Sequence, residues 1–413
     1  MSLLALIVAL QPLGSFLSSA LQRNPDLLEA AANAVQAEAQ SDLARGRVLP
    51  GVSARGGYTR NQYDTLVNLG GQTFTVVPID QWDASATLTI PLIDAAGWAR
   101  AAATKMSANA GELQLAAARL TIQAQVAQDY YQLVADLALL AAARQALDVS
   151  QESLRLARTR YEAGVVQVLD VDRAVADVEL QKQQVAGAGL EISLAARALE
   201  SASNLHPNAY GFEPLNDDLH AEAPLSAFEE GFDSLPSVAA SRESVDAADR
   251  QADAQKLTLL PSIAGTVTER GTTAAGFSGH DWTWQAAIVA TWSFDFTTLP
   301  GIRRDEAAAD AARARELRAR LAAHDAIYRQ WETVGAGIAR SRSARAGRDA
   351  AAHAAEQARN RYQAGTVTQL DLLQSQRDAF AAEVTRIQAD ADLLNARAQL
   401  RLAAGTSLEG GTQ

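Results

Sequence analysis

Cysteine is absent from the whole chain. That excludes disulfides, thiol catalysis, cysteine-ligated metals and a lipid-modified N-terminal cysteine. Long apolar runs are absent too. The longest, Leu3 to Leu10, falls well short of the ~18 residues a membrane-crossing helix needs. That run reads either as the apolar part of an incomplete secretory leader over residues 1–15 or as a short first helix. No Lys or Arg precedes it, and no clear small-x-small cleavage site follows. Basic charge is in deficit: 36 Lys and Arg stand against 48 Asp and Glu, a net −12. This argues against a nucleic-acid partner, which needs a basic face.

Motifs of catalysis are also missing. There is no P-loop, no His-Glu-x-x-His and no Gly-x-Ser-x-Gly. Gly187-Ala-Gly189 begins a dinucleotide pattern, but Ile192 stands where the third glycine belongs, in a helical context. The five histidines, His206, His220, His280, His324 and His353, are scattered, with no metal-ligand spacing. No enzyme, cofactor or metal is expected. At 413 residues, 48% apolar, the chain can bury a large core, and length suggests two or three domains. Aromatics are only 6% and alanine abounds, which favours long helices with thin interfaces.

What the chain does contain is one pattern written twice. Arg158-Thr-Arg160-Tyr161-Glu-Ala-Gly164-Val-Val-Gln-Val-Leu169-Asp170 matches Arg359-Asn-Arg361-Tyr362-Gln-Ala-Gly365-Thr-Val-Thr-Gln-Leu370-Asp371 at an offset of 201. Pro25 and Pro50 match Pro236 and Pro261, and Gly97-Trp-Ala-Arg100 matches Gly301-Ile-Arg-Arg304, in the same order. Each half reads as helix, two strands, very long helix, tight turn, helix. The first helices run from about Pro25 to Arg47 and from Pro236 to Leu257, each with proline in its first turn.

The strands are marked by a period of two. Trp82, Ala84, Ala86, Leu88 and Ile90 share one face, opposite Asp83, Ser85, Thr87 and Thr89. In the second half Trp282, Trp284, Ala286, Ile288, Ala290, Trp292 and Phe294 alternate in the same way. Partner strands are expected at Val52–Tyr58 and Ile263–Val267. An ordinary half-buried strand also alternates, but it carries its aromatics in the middle. Here they stand at both ends, as in the girdles of an outer-membrane strand. The 13 residues from Trp282 to Phe294 would span roughly 43 Å. Four strands cannot close a barrel, and an open sheet in lipid leaves backbone groups unpaired. Closure by several chains is therefore expected, three being the smallest number that leaves a useful lumen.

From Gly97 to Tyr161 and from Gly301 to Tyr362 there is no proline. Continuous helices there would be roughly 90 Å long. They read as a solvated coiled coil or as the wall of a helical tube. Each ends at Arg-x-Arg-Tyr-x-Ala-Gly, with cations at the negative end of the helix dipole and a glycine free to turn left-handed. Thr368-Gln-Leu-Asp371 has capping-box spacing.

Taken together, these residues resemble the outer-membrane efflux protein family, the TolC-like outer membrane factors. The resemblance runs from about Phe16 to Gly405. It rests on the duplicated order of elements, the two Tyr-x-Ala-Gly tips followed by Leu-Asp, the Leu-Pro steps into strands, and Pro91-Leu-Ile-Asp-Ala-Ala-Gly97 entering the long helix. It implies a mainly α fold with a membrane β-barrel. Two repeats, 16–204 and 236–404, each carry two transmembrane strands (50–92 and 261–296) and a long antiparallel hairpin, with tips near 161–168 and 362–368. An equatorial connector at 205–235 joins them, and a tail follows from 405. A homotrimer would build a 12-stranded barrel in the outer membrane of a Gram-negative bacterium and a helical barrel in the periplasm.

The resemblance further implies an exit duct for a tripartite multidrug efflux pump or a type I secretion system. Its partners would be a periplasmic adaptor, an inner-membrane transporter and outer-membrane lipid. Gly164, Gly365 and Tyr161 would lie at adaptor-docking tips. Asp170, Asp371 and Tyr362 would line or latch the periplasmic gate. The membrane girdle would comprise Trp82, Trp282, Trp284, Trp292 and Phe294. Val367 stands where the type member has an arginine, and Gln374 where it has a second aspartate, so the constriction is expected to be latched differently and less negative. Asp371 also reads as a helix cap, Tyr161 and Tyr362 as hairpin packing, and Arg158 and Arg359 as solvated charges. A periplasmic adaptor or coiled-coil scaffold is the rival reading. It does not account for two duplicated long hairpins or for the Trp282–Phe294 pattern.

Overall fold

The computed structural model describes residues 10–208, 211, 216–276 and 279–408. The possible leader falls mostly outside them. Two short helices open the chain, α1 (Leu13–Arg23) and α2 (Pro25–Gly46). Asn24 separates them. Its Oδ1 accepts from the Asp26 and Leu27 backbone N–H groups, and its Nδ2 donates to the Ala202 carbonyl at 2.8 Å. One buried side chain thus starts α2 and ties it down.

Next come strands β1 (Gly51–Arg60), β2 (Thr65–Leu69), β3 (Gln72–Val77) and β4 (Asp80–Ile93), then helices α3 (Ala95–Glu162) and α4 (Val168–Ser203). A short helix α5 (Leu225–Glu229) precedes α6 (Pro236–Leu257). The second half continues with β5 (Ser262–Thr272), β6 (Trp282–Thr291), α7 (Thr298–Gln363) and α8 (Gln369–Ala403). At 68 and 66 residues, α3 and α7 are uninterrupted; their one proline, Pro300, lies in the first turn of α7, where its missing N–H breaks no helix bond.

The chain forms two compact units, and each draws on both repeats. One holds the described residues up to Ala31, Gln114–Val238 and those from Arg320 onward. It is helical, and its two main clusters follow the repeat. Val126, Leu133, Ala195 and Leu199 pack with Phe16, Leu17 and Ala20. Ile327, Val334, Ala396 and Leu400, each 201 residues later, pack with Leu235 and Val238. Alanine at the facing positions lets these helices approach closely. Two of the buried carboxylates here are paired with arginine. Asp177 meets Arg377 at 2.9 Å, and Asp390 receives Arg345 and Arg386.

The other unit, Ala32–Leu113 and Ala239–Ala319, holds the sheet. Its order is β1-β4-β5-β6, antiparallel throughout. The junction between repeats is therefore the β4–β5 pair. Gly97 leads from sheet to helix. A Cβ there would lie 2.2 Å from Asp94 Oδ2, while the Gly97 N–H donates to Asp94 Oδ1. Any side chain there would displace Asp94 and Val48.

Three strand expectations need correction. The stretch Trp282–Phe294 is not a single strand, because β6 ends at Thr291 and leaves Trp292 and Phe294 beyond it. Thr291 pairs with Ser262, and the residue before Ser262 is Pro261, which has no N–H to continue the ladder. Trp292 instead donates its indole N–H to the Leu259 carbonyl at 3.1 Å. A further hairpin, β2–β3, lies between the two strands expected in the first half. Its turn is Gly70-Gly71, both at positive φ, as a tight two-residue hairpin turn requires. β5 is also longer than the expected Ile263–Val267.

Candidate functional site at the hairpin tips and on the sheet

Both long helices end in the same backbone device. Gly164 has φ 72° and Gly365 has φ 77°. In the first tip the Val165 N–H bonds to the Arg160 carbonyl and the Gly164 N–H to Tyr161. In the second, Thr366 bonds to Arg361 and Gly365 to Tyr362. These are Schellman closures, and each needs a left-handed residue just past the helix. The motif Tyr-x-Ala-Gly therefore encodes a turn before it encodes any function.

The side chains at the two tips differ. Tyr362 is buried, at 2% exposure, whereas Tyr161 is 48% exposed. The Arg160 guanidinium lies 4.6 Å from the centre of the Tyr362 ring and also donates to the Tyr362 carbonyl. A cation from the first tip is thus held on both the π face and the backbone of the second. Burial raises the Tyr362 hydroxyl above the ordinary phenol range. Arg160 opposes that shift and Asp170 adds to it.

Asp371 closes a full capping box. Its carboxylate accepts from the Thr368 backbone N–H at 3.0 Å and from the Thr368 hydroxyl at 2.7 Å, and its own N–H donates to Thr368 Oγ1. The Thr368 side chain, followed by its backbone, holds Asp371 below the ordinary carboxylate range. Asp170, its counterpart, has no such box. Gln167 caps α4 without a side-chain bond, and Asp170 pairs with Arg173 at 3.6 Å. Arg158 and Arg359 are exposed.

Arg160 and Gln369 are the residues that sequence reasoning passed over here. Arg160 sits in a pattern that reads as dipole-complementing charge. Gln369 is a first-turn residue buried at 2%, and neither of its amide atoms has a protein partner. The hydroxyl of Tyr362 is likewise buried and unpaired. Among the described residues, Asp217, Asp218 and His220 come close enough together to suggest a metal site. Arg397 occupies that position instead, bonding Asp217 at 2.9 Å and pairing with Glu222.

The sheet is a separate candidate region in the other unit. Its register places Val52 and Tyr58 of β1, Trp82 and Leu88 of β4, Val267 of β5, and Trp282, Trp284 and Ile288 of β6 on one face. Trp284 and Ile288 are 76% and 77% exposed. The opposite face carries Ser53, Arg55, Asp83, Ser85, Thr87, Thr266, Thr268, Arg270 and Gln285. One face is thus exposed and apolar apart from Glu269, opposite Trp284, and the Arg60–Asp80 pair at its end, and the other is largely polar. No helix among the described residues is long and apolar enough to cross a membrane.

Comparison with known proteins agrees with this geometry. The family described as outer membrane efflux protein matches residues 16–205 and 233–406. Protein CyaE of Bordetella pertussis is 33% identical over 168 residues, which is 40% of this chain and 34% of CyaE. The match thus spans about a third of that relative's length. The Campylobacter jejuni CmeC outer membrane channel superposes with a TM-score of 0.83 at 20% identity, over 96% of this chain and 86% of its own. The open state of the Neisseria gonorrhoeae MtrE outer membrane channel gives 0.80 at 20% identity, over 98% and 91%.

Proposed function

This chain belongs to the outer membrane efflux protein family, and from that premise we propose that it is one third of a trimeric exit duct. Members of the family are outer-membrane channels and not enzymes, and the outer membrane is where this chain resides. The observation that carries the proposal is the sheet. Four strands leave β1 and β6 as free edges, and one face is largely apolar and exposed. In lipid, unpaired edge groups cost several kcal/mol each. Pairing β1 of one copy with β6 of the next removes every edge, and three copies give a barrel of twelve strands, well within the range that seals.

In this reading repeats 16–204 and 236–404 contribute equally to the barrel, with the connector 205–235 outside it. Trp82, Trp282 and Trp284 mark one end of the lipid-facing band. Trp292 and Phe294 stand at its other end, just past the last ladder bond. The hairpins extend into the periplasm, and their tips form the gate. Asp170 and Asp371 place carboxylates beside the narrowing pore, and Tyr362 with its Arg160 partner holds the two tips of one chain together. Gly164, Gly365 and Tyr161 present the exposed turns to a periplasmic adaptor. An inner-membrane transporter hands over small toxic molecules or secreted proteins.

Reconstitution into planar bilayers tests the reading. The purified protein should give discrete channels, and replacing Asp371 with Ala should weaken their cation preference. Protein that stays monomeric in detergent and gives no conductance contradicts it.

A further inference from the structure

The connector between the repeats carries no cation. From Arg197 to Arg242 no Lys or Arg intervenes, while Asp217 to Asp233 holds six carboxylates. Within the helical unit this span lies along α7, running the opposite way. Asp233 meets Arg320 at 3.1 Å, and Glu229 meets His324 at 2.9 Å. The Ala223 carbonyl accepts from the Trp331 indole at 3.0 Å, and the Asp217 carbonyl from Arg345 at 2.8 Å. Leu219, Leu225, Phe228 and Phe232 pack from above onto Ile327, Val334, Leu393 and Leu400. The connector is thus a strap laid over an apolar seam of α7 and α8.

Its polar contacts are unequal. Arg320 and Asp233 are 45% and 69% exposed, and exposed pairs of this kind hold weakly. Arg397 of α8 is 5% exposed. Its guanidinium donates to Asp217 at 3.2 Å, to the His220 carbonyl at 2.8 Å, to His220 Nε2 at 3.0 Å and to Glu222. All four acceptors belong to one short stretch of the connector. In that stretch Leu219 stands at φ 58°, a conformation leucine rarely adopts. Its N–H donates to Asp217 Oδ1 at 2.7 Å. Asp218 turns outward and meets His220 Nδ1 at 2.5 Å. The two helices beneath are joined without the strap, because Asp390 of α8 accepts from Ser341 and Arg345 of α7.

We infer that Asp217–Asp233 is a detachable strap, pinned by Arg397, which leaves α7 and α8 as one unit while the helices beneath stay folded and joined. Breaking the pin from either side strands a buried charge without its partner, the costliest way to lose an ion pair. It also frees the left-handed turn at Leu219, which persists only while its surroundings enforce it. What remains to hold the strap is a set of exposed pairs and partly buried side chains. Opening bares the apolar seam of α7 and α8. The inference concerns a single chain and stands apart from the trimeric reading.

Hydrogen exchange of the full-length protein in detergent tests it, read at the bonded amides of Leu219, His220, Ala227 and Ser234. Arg397→Met keeps the bulk and removes the charge. It should speed exchange at all four by about a hundredfold, while α7 and α8 amides around Val334 and Leu393 stay within about fivefold of the parent. Asp217→Asn combined with Glu222→Gln breaks the pin from the other side and should open the same span, which covers the case of an Arg397 variant that does not fold. Arg320→Gln, at an exposed pair, should change exchange by less than about fivefold. Connector exchange within fivefold of the parent in the pin variants would overturn the inference. So would faster exchange at Leu219 and His220 alone, or protection lost equally from the connector and from α7 and α8.

Discussion

The two hairpin tips share a sequence, a backbone closure and a glycine at positive φ, yet their side chains behave differently. At the first tip Tyr161 is exposed and α4 starts without a side-chain cap. At the second, Tyr362 is buried beneath Arg160, and Thr368 with Asp371 boxes the start of α8. The interior of the helical unit shows the opposite behaviour. Leu199 and Leu400 are both fully buried, at matching places in matching clusters. Duplication has kept the packing symmetric where volume must be filled. It has let the tips diverge where a charge or a cap can be placed on one side alone.

Paired substitutions sharpen that contrast. The largest effect belongs to the core. Leu199→Ala and Leu400→Ala should each destabilise by about 2–5 kcal/mol, with similar losses when helix unfolding is followed by circular dichroism in detergent. A loss confined to one of them would break the symmetry of the cores. The tyrosines come next. Tyr362→Ala should cost about 3 kcal/mol, the scale of a buried aromatic, whereas Tyr161→Ala should stay within about 0.5 kcal/mol, as exposed positions do. Equal costs would deny that the tips have diverged.

The caps give the smallest effect. Thr368→Ala should cost about 1 kcal/mol and Gln167→Ala close to nothing. The capping box also carries a pH signature. Because Asp371 is held below the ordinary carboxylate range, its contribution is complete above that range and is lost as pH falls through its own lower value. Asp371→Asn should remove this acid-side loss from α8, read by hydrogen exchange of the Thr368 and Asp371 amides.

Much of this architecture is legible in the residues. Proline-free stretches fix the long helices, the 201-residue offset fixes the order of elements, and alternation at Trp82–Ile90 and Trp282–Ala290 marks two strands. The β2–β3 hairpin was equally legible, since Gly70-Gly71 lies between two short β-rich runs, and only its loop-like setting hid it. The end of β6 was hidden for a different reason. Alternation continues through Trp292 and Phe294, but a ladder ends where its partner lacks an N–H, and Pro261 stands just ahead of the partner strand β5. Arg160 was illegible as a clamp. Nothing local says that a last-turn cation reaches a tyrosine 202 positions away.

The central claim is that a four-stranded sheet with two open edges is completed by identical copies. The mass of the purified protein in detergent, measured by light scattering with the detergent contribution removed, tests it directly. A trimer gives a single species at three times the 43.7 kDa chain. A stable species at the mass of one chain, with β1 and β6 still unpaired, would contradict it.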